Sequence, residues 1–254
     1  MSMDVRKNDT AVVIIDPQND ALSEKGTNWP AVGASVTENG TIGNISRLFV
    51  TAKANDYAVF ISPHYFYPTD DGWKFNGPLE ADEFRTRTFA RSGPLDLTNF
   101  AGSGADWLDL FRPHIEDGRT IVVSPHKVFG PQTNDLVLQL RKRGIGKIIL
   151  GGMMANLCVE SHLRELLEQG FQVAVIRDAV AGPRHPEWGD GYQAALINYG
   201  SWRTPCGRPT RQSTGCAEFA APTGSRAHHS VAATRSTTRP STCPLSTVRC
   251  ACAA

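Results

Sequence analysis

Cysteine is almost absent from the first 200 residues of this 254-residue chain, where Cys158 is the single example. A segment with one thiol cannot form an internal disulfide framework, so the sequence favours a reducing compartment and predicts a cytoplasmic protein. The sequence also lacks any apolar run close to the ~20 residues that a membrane-spanning helix needs. Its polar N-terminus does not resemble a secretory signal peptide, and we predict no membrane association.

A net charge near zero hides an uneven distribution along the chain. Residues 201–254 contain seven arginines, no lysine and one acidic residue, which is a net charge of +6. Residues 1–200 contain 19 basic and 24 acidic side chains, a net charge of −5. Because the body of the chain offers no basic surface, we predict a small-molecule substrate and no nucleic-acid partner.

The composition changes abruptly after residue 200. Residues 201–254 contain no isoleucine and a single leucine, and they are rich in Ser, Thr, Pro, Arg, Ala and Cys. Such a composition buries too little apolar surface to offset chain entropy, which predicts a disordered tail. A second interpretation is a reading-frame slip near codon 200, which we favour over a natural extension, and which would remove a final edge strand. We therefore separate a domain over residues 1–200 from a tail over residues 201–254.

Short apolar runs alternate with helical patterns through the domain. Apolar runs predict strands over residues 11–15, 57–61, 120–123, 147–150 and 171–176, and helical spacing predicts helices over 134–143, 158–169 and 190–199. This alternation predicts a three-layer α/β/α fold with a doubly wound, mostly parallel sheet. Residues 62–118, rich in Gly, Pro and aromatic residues, form a long insertion that we expect to shape a substrate pocket.

Cys158 follows an apolar strand and a small-residue turn and opens an amphipathic helix. Unpaired N–H groups and the helix dipole at such a position favour a thiolate, which makes this thiol a candidate nucleophile. The alternative is a buried structural cysteine, because its neighbours are apolar. Asp16 and Lys127 both follow predicted strands and could act as a base and as a cation beside the thiol. Taken singly, they are equally consistent with a strand-end turn and a solvated surface lysine.

Together these residues resemble the isochorismatase-like cysteine hydrolase superfamily, which includes nicotinamidases, N-carbamoylsarcosine amidohydrolase and ureide hydrolases. The resemblance spans about residues 9–200. It rests on the run DPQND at residues 16–20, on Lys127, and on the run GGMMANLCVES at residues 151–161. It implies an Asp16–Lys127–Cys158 triad, a cis peptide bond between Met153 and Met154, and an oxyanion hole formed by the N–H groups of Met154 and Cys158. It also implies a homodimer or homotetramer.

The resemblance predicts hydrolysis of a C–N bond in a small amide, carbamoyl or ureido compound through a thioester, without a cofactor. Candidate pocket residues are Gln18, His64, Phe66, Trp73, Met153 and Asn156. Metal-binding nicotinamidases carry an Asp-x-His pattern after the second strand. Here Ser62-Pro-His64 stands in that place with no second histidine nearby in the sequence, so we predict no metal.

Two alternatives remain open at this point. One is an isochorismatase-type vinyl-ether hydrolase, whose chemistry needs acid catalysis without a thiol, so that Cys158 disfavours it. The other is a catalytically dead or binding-only product of a frame-shifted chain. Ammonia release that disappears when Cys158 is replaced by serine would separate both from the cysteine hydrolase.

Overall fold

The computed structural model describes residues 3–201 and 250–252. Its strands are β1 (Thr10–Ile15), β2 (Ala58–Ser62), β3 (Ile121–Val122), β4 (Lys147–Met153), β5 (Gln172–Ala181), β6 (Arg184–His185), β7 (Gly189–Asp190) and β8 (Cys250–Cys252). Its α-helices are α1 (Asn19–Leu22), α2 (Trp29–Asn39), α3 (Thr41–Ala54), α4 (Pro78–Thr86), α5 (Arg112–Ile115), α6 (Leu136–Lys142), α7 (Glu160–Glu168) and α8 (Gly191–Ser201). Shorter helical turns cover Pro68–Gly72, Pro131–Thr133 and Ala155–Val159.

The main sheet has the strand order β3-β2-β1-β4-β5-β8. The first five of these strands are parallel to their neighbours, and β8 pairs antiparallel with β5. The order reverses direction at β1, which makes the sheet doubly wound, and the carboxyl ends of β1 and β4 lie side by side at that point. Ligands of open α/β sheets bind at such a reversal, where the connections leave a crevice. The predicted fold class is confirmed.

Helices cover both faces of the sheet because alternate side chains of a strand point in opposite directions. Val12 and Ile14 of β1 pack on one side with residues of α2 and α3. Val13 and Ile15 pack on the other side with residues of α6 and α7. All six residues of β1 are buried, which explains why its sequence is continuously apolar instead of alternating.

The insertion over residues 62–118 contains more regular structure than its composition indicates. It holds α4 and α5. Asp20 connects part of the insertion to the rest of the domain: one oxygen of its carboxylate accepts the N–H of Phe89 at 2.7 Å, and the other accepts the N–H of Thr27 at 3.1 Å.

None of the helices in the described part of the chain is long and apolar enough to cross a membrane. Most of the predicted tail, residues 202–249, lies outside the described residues. The reading-frame interpretation predicted the loss of a final edge strand; in the structure, β8 occupies the edge of the sheet beside β5.

Gly152 lets β1 and β4 approach closely beside the site. Its φ is +117°, and a Cβ built on it would lie 2.0 Å from the carbonyl oxygen of Ile15. We expect Gly152→Ala to lower the free energy of unfolding by about 2–3 kcal/mol, because the added methyl forces apart two central strands and its backbone angle disfavours any L side chain. Denaturant-induced unfolding measures the change.

Gly43→Ala is the matched control for this prediction. Gly43 lies inside α3, and a Cβ there would meet nothing within 4 Å. Replacing a helical glycine by alanine is worth about 0.5–1 kcal/mol, so this variant should be as stable as the parent or more so. Equal stabilities of the Gly152 and Gly43 variants would contradict the close approach.

Candidate active site

Asp16 stands at the carboxyl end of β1, where the chain leaves the sheet. Its φ is +49°, in the left-handed region that few residues other than glycine adopt, and its N–H donates to the carbonyl of Ser62 at the end of β2. Aspartate tolerates this conformation better than most side chains do. Unusual backbone conformations at the ends of central strands are frequent at functional sites. The side chain is almost fully buried.

Cys158 approaches Asp16 from the neighbouring strand. The chain runs from β4 through a peptide bond that is cis between Met153 and Met154, then through the turn Ala155–Val159 into α7. Cys158 and Asp16 line one small cavity of about 30 Å³. The other residues that line it are Ala21, Asn28, His64, Leu79, Glu83, Phe89, Val128, Met153, Met154 and Leu157.

The thiol of Cys158 is held in its protonated form. Burial raises its pKa well above the ordinary value, and the negative charge of Asp16 and a hydrogen bond to that carboxylate raise it further. The Sγ–H group also lies 3.3 Å from the carbonyl oxygen of Val128, which can only accept a hydrogen bond. A hydrogen bond from the N–H of Met154 acts in the opposite direction. Burial and the Asp16 charge therefore act against the thiolate that the helix N-terminus is expected to favour.

The group that contacts the Asp16 carboxylate is His126. Its Nε2 lies 2.9 Å from Oδ1 of Asp16, and the imidazole is completely buried. Because an ionised carboxylate can only accept, Nε2 carries the proton and donates it to this hydrogen bond. The His126 ring lies between those of His64 and His162, with centroid distances of 4.9 and 5.0 Å. The sequence analysis assigned no catalytic role to His126.

Lys127 points to a different place from the one predicted. Its Nζ lies 2.5 Å from Oδ2 of Asp70 and 3.2 Å from the carbonyl oxygen of Tyr65, and it sits over the ring of Tyr67. In the described part of the chain it makes no ion pair with Asp16. The reason is local, because the backbone of His126 forms a β-bridge with that of His64 and the segment after β3 is extended there. In extended backbone the side chains of His126 and Lys127 point to opposite sides. The lysine therefore faces the insertion, where its side chain is 22% exposed.

His162 supports the turn that carries Cys158. Its Nδ1 donates to the carbonyl of Cys158 at 2.7 Å, and its Nε2 lies 2.9 Å from the hydroxyl of Ser62. Burial keeps its pKa well below the ordinary value, so the ring is neutral. With the proton on Nδ1, Nε2 accepts from Ser62. This contact links the end of β2 to the first turn of α7 and so orients Cys158.

Only two of the six predicted pocket residues, His64 and Met153, line this cavity. The side-chain amide of Gln18 is hydrogen-bonded to the backbone and does not line the cavity. Its Nε2 donates to the carbonyls of His64 and Ala105, and its Oε1 accepts the N–H of His64.

The other three predicted residues pack elsewhere. Phe66 and Trp73 pack against Phe84 in the insertion, outside the cavity. Asn156 faces Gly191 at the start of α8. For all three, the residue type indicated a polar or aromatic lining, but the direction of the side chain depends on the tertiary packing.

Sequence reasoning missed the polar groups that the insertion and the residue before α2 bring to the cavity. Glu83 of α4 is buried, and its pKa is raised to about 8 by burial first and by the charge of Asp16 second. Among the described residues, Glu83 Oε2, Asn28 Nδ2 and both ring nitrogens of His64 are buried without a hydrogen-bond partner. Buried polar atoms are normally paired, so these unpaired atoms around one cavity indicate a polar ligand. No local pattern in the sequence marked Glu83.

His64, His126 and Cys158 form the group of side chains that could hold a metal ion in the described part of the chain. One potential ligand atom of each lies within 4.8 Å of the other two. These residues come from three separate segments of the sequence, so their proximity is a product of the fold.

The comparisons with known proteins agree with this architecture. The model of the Isochorismatase domain family matches residues 10–200. The chain is 28% identical over 207 residues to the ureidoacrylate amidohydrolase RutB of Pseudomonas syringae pv. syringae, covering 76% of this chain and 78% of that protein. A cysteine hydrolase from Pseudomonas syringae pv. phaseolicola superposes with a TM-score of 0.61 at 19% identity, over 78% of this chain and 85% of that one.

A further solved structure shares the fold. The nicotinamidase/pyrazinamidase PncA of Bacillus subtilis superposes with a TM-score of 0.56 at 20% identity, over 75% of this chain and 94% of that one. The family match covers three quarters of the chain and includes Asp16, His126, Met154 and Cys158. The chain therefore belongs to the isochorismatase family.

Proposed function

We propose that this protein is a cysteine hydrolase that cleaves a C–N bond in a small amide, carbamoyl or ureido compound through a thioester. The observation that carries the proposal is the buried Cys158 thiol, which lines one cavity with the Asp16 carboxylate and with polar groups that have no hydrogen-bond partner. Relatives named as a ureidoacrylate amidohydrolase and a nicotinamidase support the reaction class.

The first half of the reaction uses Asp16 as the base. The carboxylate takes the thiol proton as the sulfur attacks the carbonyl carbon, and the C=O π electrons move to the oxygen. The N–H groups of Met154 and Cys158 are the proposed donors to this oxygen, and the Met154 N–H already faces the sulfur. The protonated Asp16 then gives its proton to the leaving nitrogen, the C–N bond breaks, and ammonia or an amine departs.

The second half regenerates the thiol. A water molecule attacks the thioester while Asp16 takes one of its protons, the C–S bond breaks, and the proton returns to the sulfur as the acid leaves. His126 keeps the Asp16 carboxylate oriented through both halves by its 2.9 Å hydrogen bond. In this mechanism His126 fills the positioning role that the family resemblance assigns to Lys127. No step requires a cofactor.

Ammonia release from a panel of small amides and ureas tests the proposed reaction. The panel includes nicotinamide, ureidoacrylate and N-carbamoyl amino acids, and the full-length chain is compared with Cys158→Ser. We expect release from at least one compound and none above background in the serine variant. Vinyl-ether hydrolysis that survives the serine substitution would favour the isochorismatase-type reaction. A folded chain inactive on every compound would favour a binding-only protein.

Glu83 is the proposed partner of the polar end of the substrate. At pH 7 its carboxyl is mostly neutral, because its pKa is raised to about 8, so it can donate one hydrogen bond and accept another. We expect Glu83→Gln, which keeps both abilities, to leave KM within about threefold. Glu83→Ala should raise KM about tenfold, since it removes roughly one hydrogen bond of about 1.4 kcal/mol.

Steady-state kinetics on the best substrate of the panel measure this difference. Leu79→Ala is the control, because Leu79 is an apolar residue that lines the same cavity and is also part of α4. An alanine variant of Glu83 with unchanged KM, or a glutamine variant as impaired as the alanine variant, would remove Glu83 from substrate binding.

We also propose a cytoplasmic homo-oligomer, a dimer or tetramer. The insertion supports this proposal, because it exposes large apolar side chains that a monomer would leave in water, namely Phe75, Leu95, Leu97 and Leu110. Light scattering of the full-length protein should give at least twice the mass of one chain, which is 27.6 kDa. A monomer at micromolar concentration would contradict the proposed assembly.

A further inference from the structure

Three buried side chains from separate segments converge on one point beside the cavity. His64 follows β2, His126 follows β3, and Cys158 belongs to the turn between β4 and α7. Their potential ligand atoms lie within 4.8 Å of one another, and none of the three residues is more than 7% exposed. Such a convergence of two imidazoles and a thiol is uncommon without a chemical purpose, because each group loses its hydration on burial.

The hydrogen bonds around the three residues leave ligand atoms available. Neither ring nitrogen of His64 has a hydrogen-bond partner, although its Nε2 lies 4.0 Å from Oε2 of Glu83, and Nδ1 of His126 has no hydrogen-bond partner either. His64 also lines the same cavity as Cys158. The hydrolytic mechanism uses none of these nitrogens. They are therefore free to bind a second kind of ligand.

The donor set determines which ligand fits. Two imidazole nitrogens and one sulfur match the preference of Zn²⁺, which binds nitrogen at about 2.0–2.1 Å and thiolate sulfur at about 2.3 Å. Ligand atoms of a tetrahedral site with these bonds are roughly 3.3–3.5 Å apart, so the side chains would close in by about 1 Å. The contact of Asp16 with His126 is the carboxylate–histidine pairing that commonly orients a metal-bound imidazole.

We propose that His64, His126 and Cys158 bind one zinc-class divalent cation, and that the bound ion inhibits the enzyme by occupying the nucleophilic sulfur. On binding, the S–H bond breaks, the sulfur–metal bond forms, and the proton leaves through Asp16 to solvent. The inhibition rests on the proposed hydrolase function, but the binding does not. The sequence prediction of no metal relied on the lack of a second histidine near His64 in the sequence; the fold supplies His126.

Zinc binding to the full-length protein tests the site directly. Equilibrium dialysis against Zn²⁺ compares the parent protein with Cys158→Ser, in which the five cysteines of residues 201–254 are unchanged and cancel in the difference. We expect the serine variant to bind one fewer ion. His64→Gln and His126→Gln should weaken the same site at least tenfold. His185→Gln, at an exposed histidine, should bind as the parent does.

A spectroscopic readout separates metal binding from activity. Co²⁺ added to the parent should give a thiolate-to-cobalt charge-transfer band whose intensity falls in Cys158→Ser, with folding of each variant checked by circular dichroism. Equal zinc stoichiometry and equal cobalt spectra for the parent and Cys158→Ser would overturn the site. Binding of zinc without loss of ammonia release would overturn the inhibition. Zinc binding by a chain that cleaves nothing in the panel would contradict the proposed function and leave the site standing.

Discussion

Cys158→Ser is expected to lower the turnover number for ammonia release by about 10⁴-fold or more. A carboxylate takes the proton of a serine hydroxyl far less readily than that of a thiol, because the hydroxyl is the much weaker acid, and single substitutions in catalytic triads cost losses of this order. The two side chains have nearly the same shape, so the fold and the cavity should persist. Turnover and circular dichroism on the same preparation measure both effects.

Cys206→Ser is the matched control, since it makes the same chemical change outside the family match at residues 10–200. We expect this variant to keep its turnover within about twofold of the parent. A Cys158→Ser variant that folds and retains more than a tenth of the activity would show that the sulfur does not carry the acyl group.

The second large effect distinguishes two adjacent residues, His126 and Lys127. His126→Phe keeps a ring in the buried stack but removes the N–H that donates to Asp16. A hydrogen bond to a charged group is worth about 1.5–3 kcal/mol, so we expect kcat to fall about 10- to 100-fold. Lys127→Met removes the contacts of the ammonium group with Asp70, Tyr65 and the rings of Tyr67 and Trp73, none of which involves Asp16, and kcat should stay within about threefold.

Steady-state kinetics of both variants decide between the histidine and the lysine. Thermal unfolding serves as the check that His126→Phe remains folded. A large loss of kcat in Lys127→Met with a small loss in His126→Phe would restore the Asp16–Lys127–Cys158 triad implied by the family resemblance. It would also mean that Lys127 turns toward Asp16 during the reaction.

Most of the fold could be predicted because its central strands are continuously apolar. The predicted strand over residues 11–15 agrees with β1 to within one residue, and the predicted helix over 134–143 contains α6. Strands buried on both faces of a parallel sheet do not alternate apolar and polar residues, so they are visible in the sequence as continuous apolar runs. α4 was not predicted, because it has few apolar positions and so gives a weak helical pattern. Its placement of Glu83 beside the cavity depends on tertiary contacts, which the sequence does not show.

The sequence predicted the site residues that follow the ends of strands. It could not predict those whose place in the site depends on the direction of the side chain. Asp16 follows β1 directly, and Cys158 lies in the short turn after the neighbouring parallel strand β4, so their proximity could be inferred from the topology. His126 and Lys127 differ by one residue, and in extended backbone this single step reverses the direction of the side chain. The protonation of Cys158 could not be inferred either, because it depends on how deeply the thiol is buried beside Asp16.

The most direct test of the account is the mass of Cys158 during turnover. The enzyme is mixed with the best substrate of the panel, quenched in acid within the first turnover, and digested for peptide mass spectrometry. We predict an acyl adduct on the peptide that contains Cys158, at the mass of the substrate acid less water, and its absence in Cys158→Ser. Turnover of the substrate with no adduct on that peptide at any quench time would contradict a thioester mechanism at Cys158.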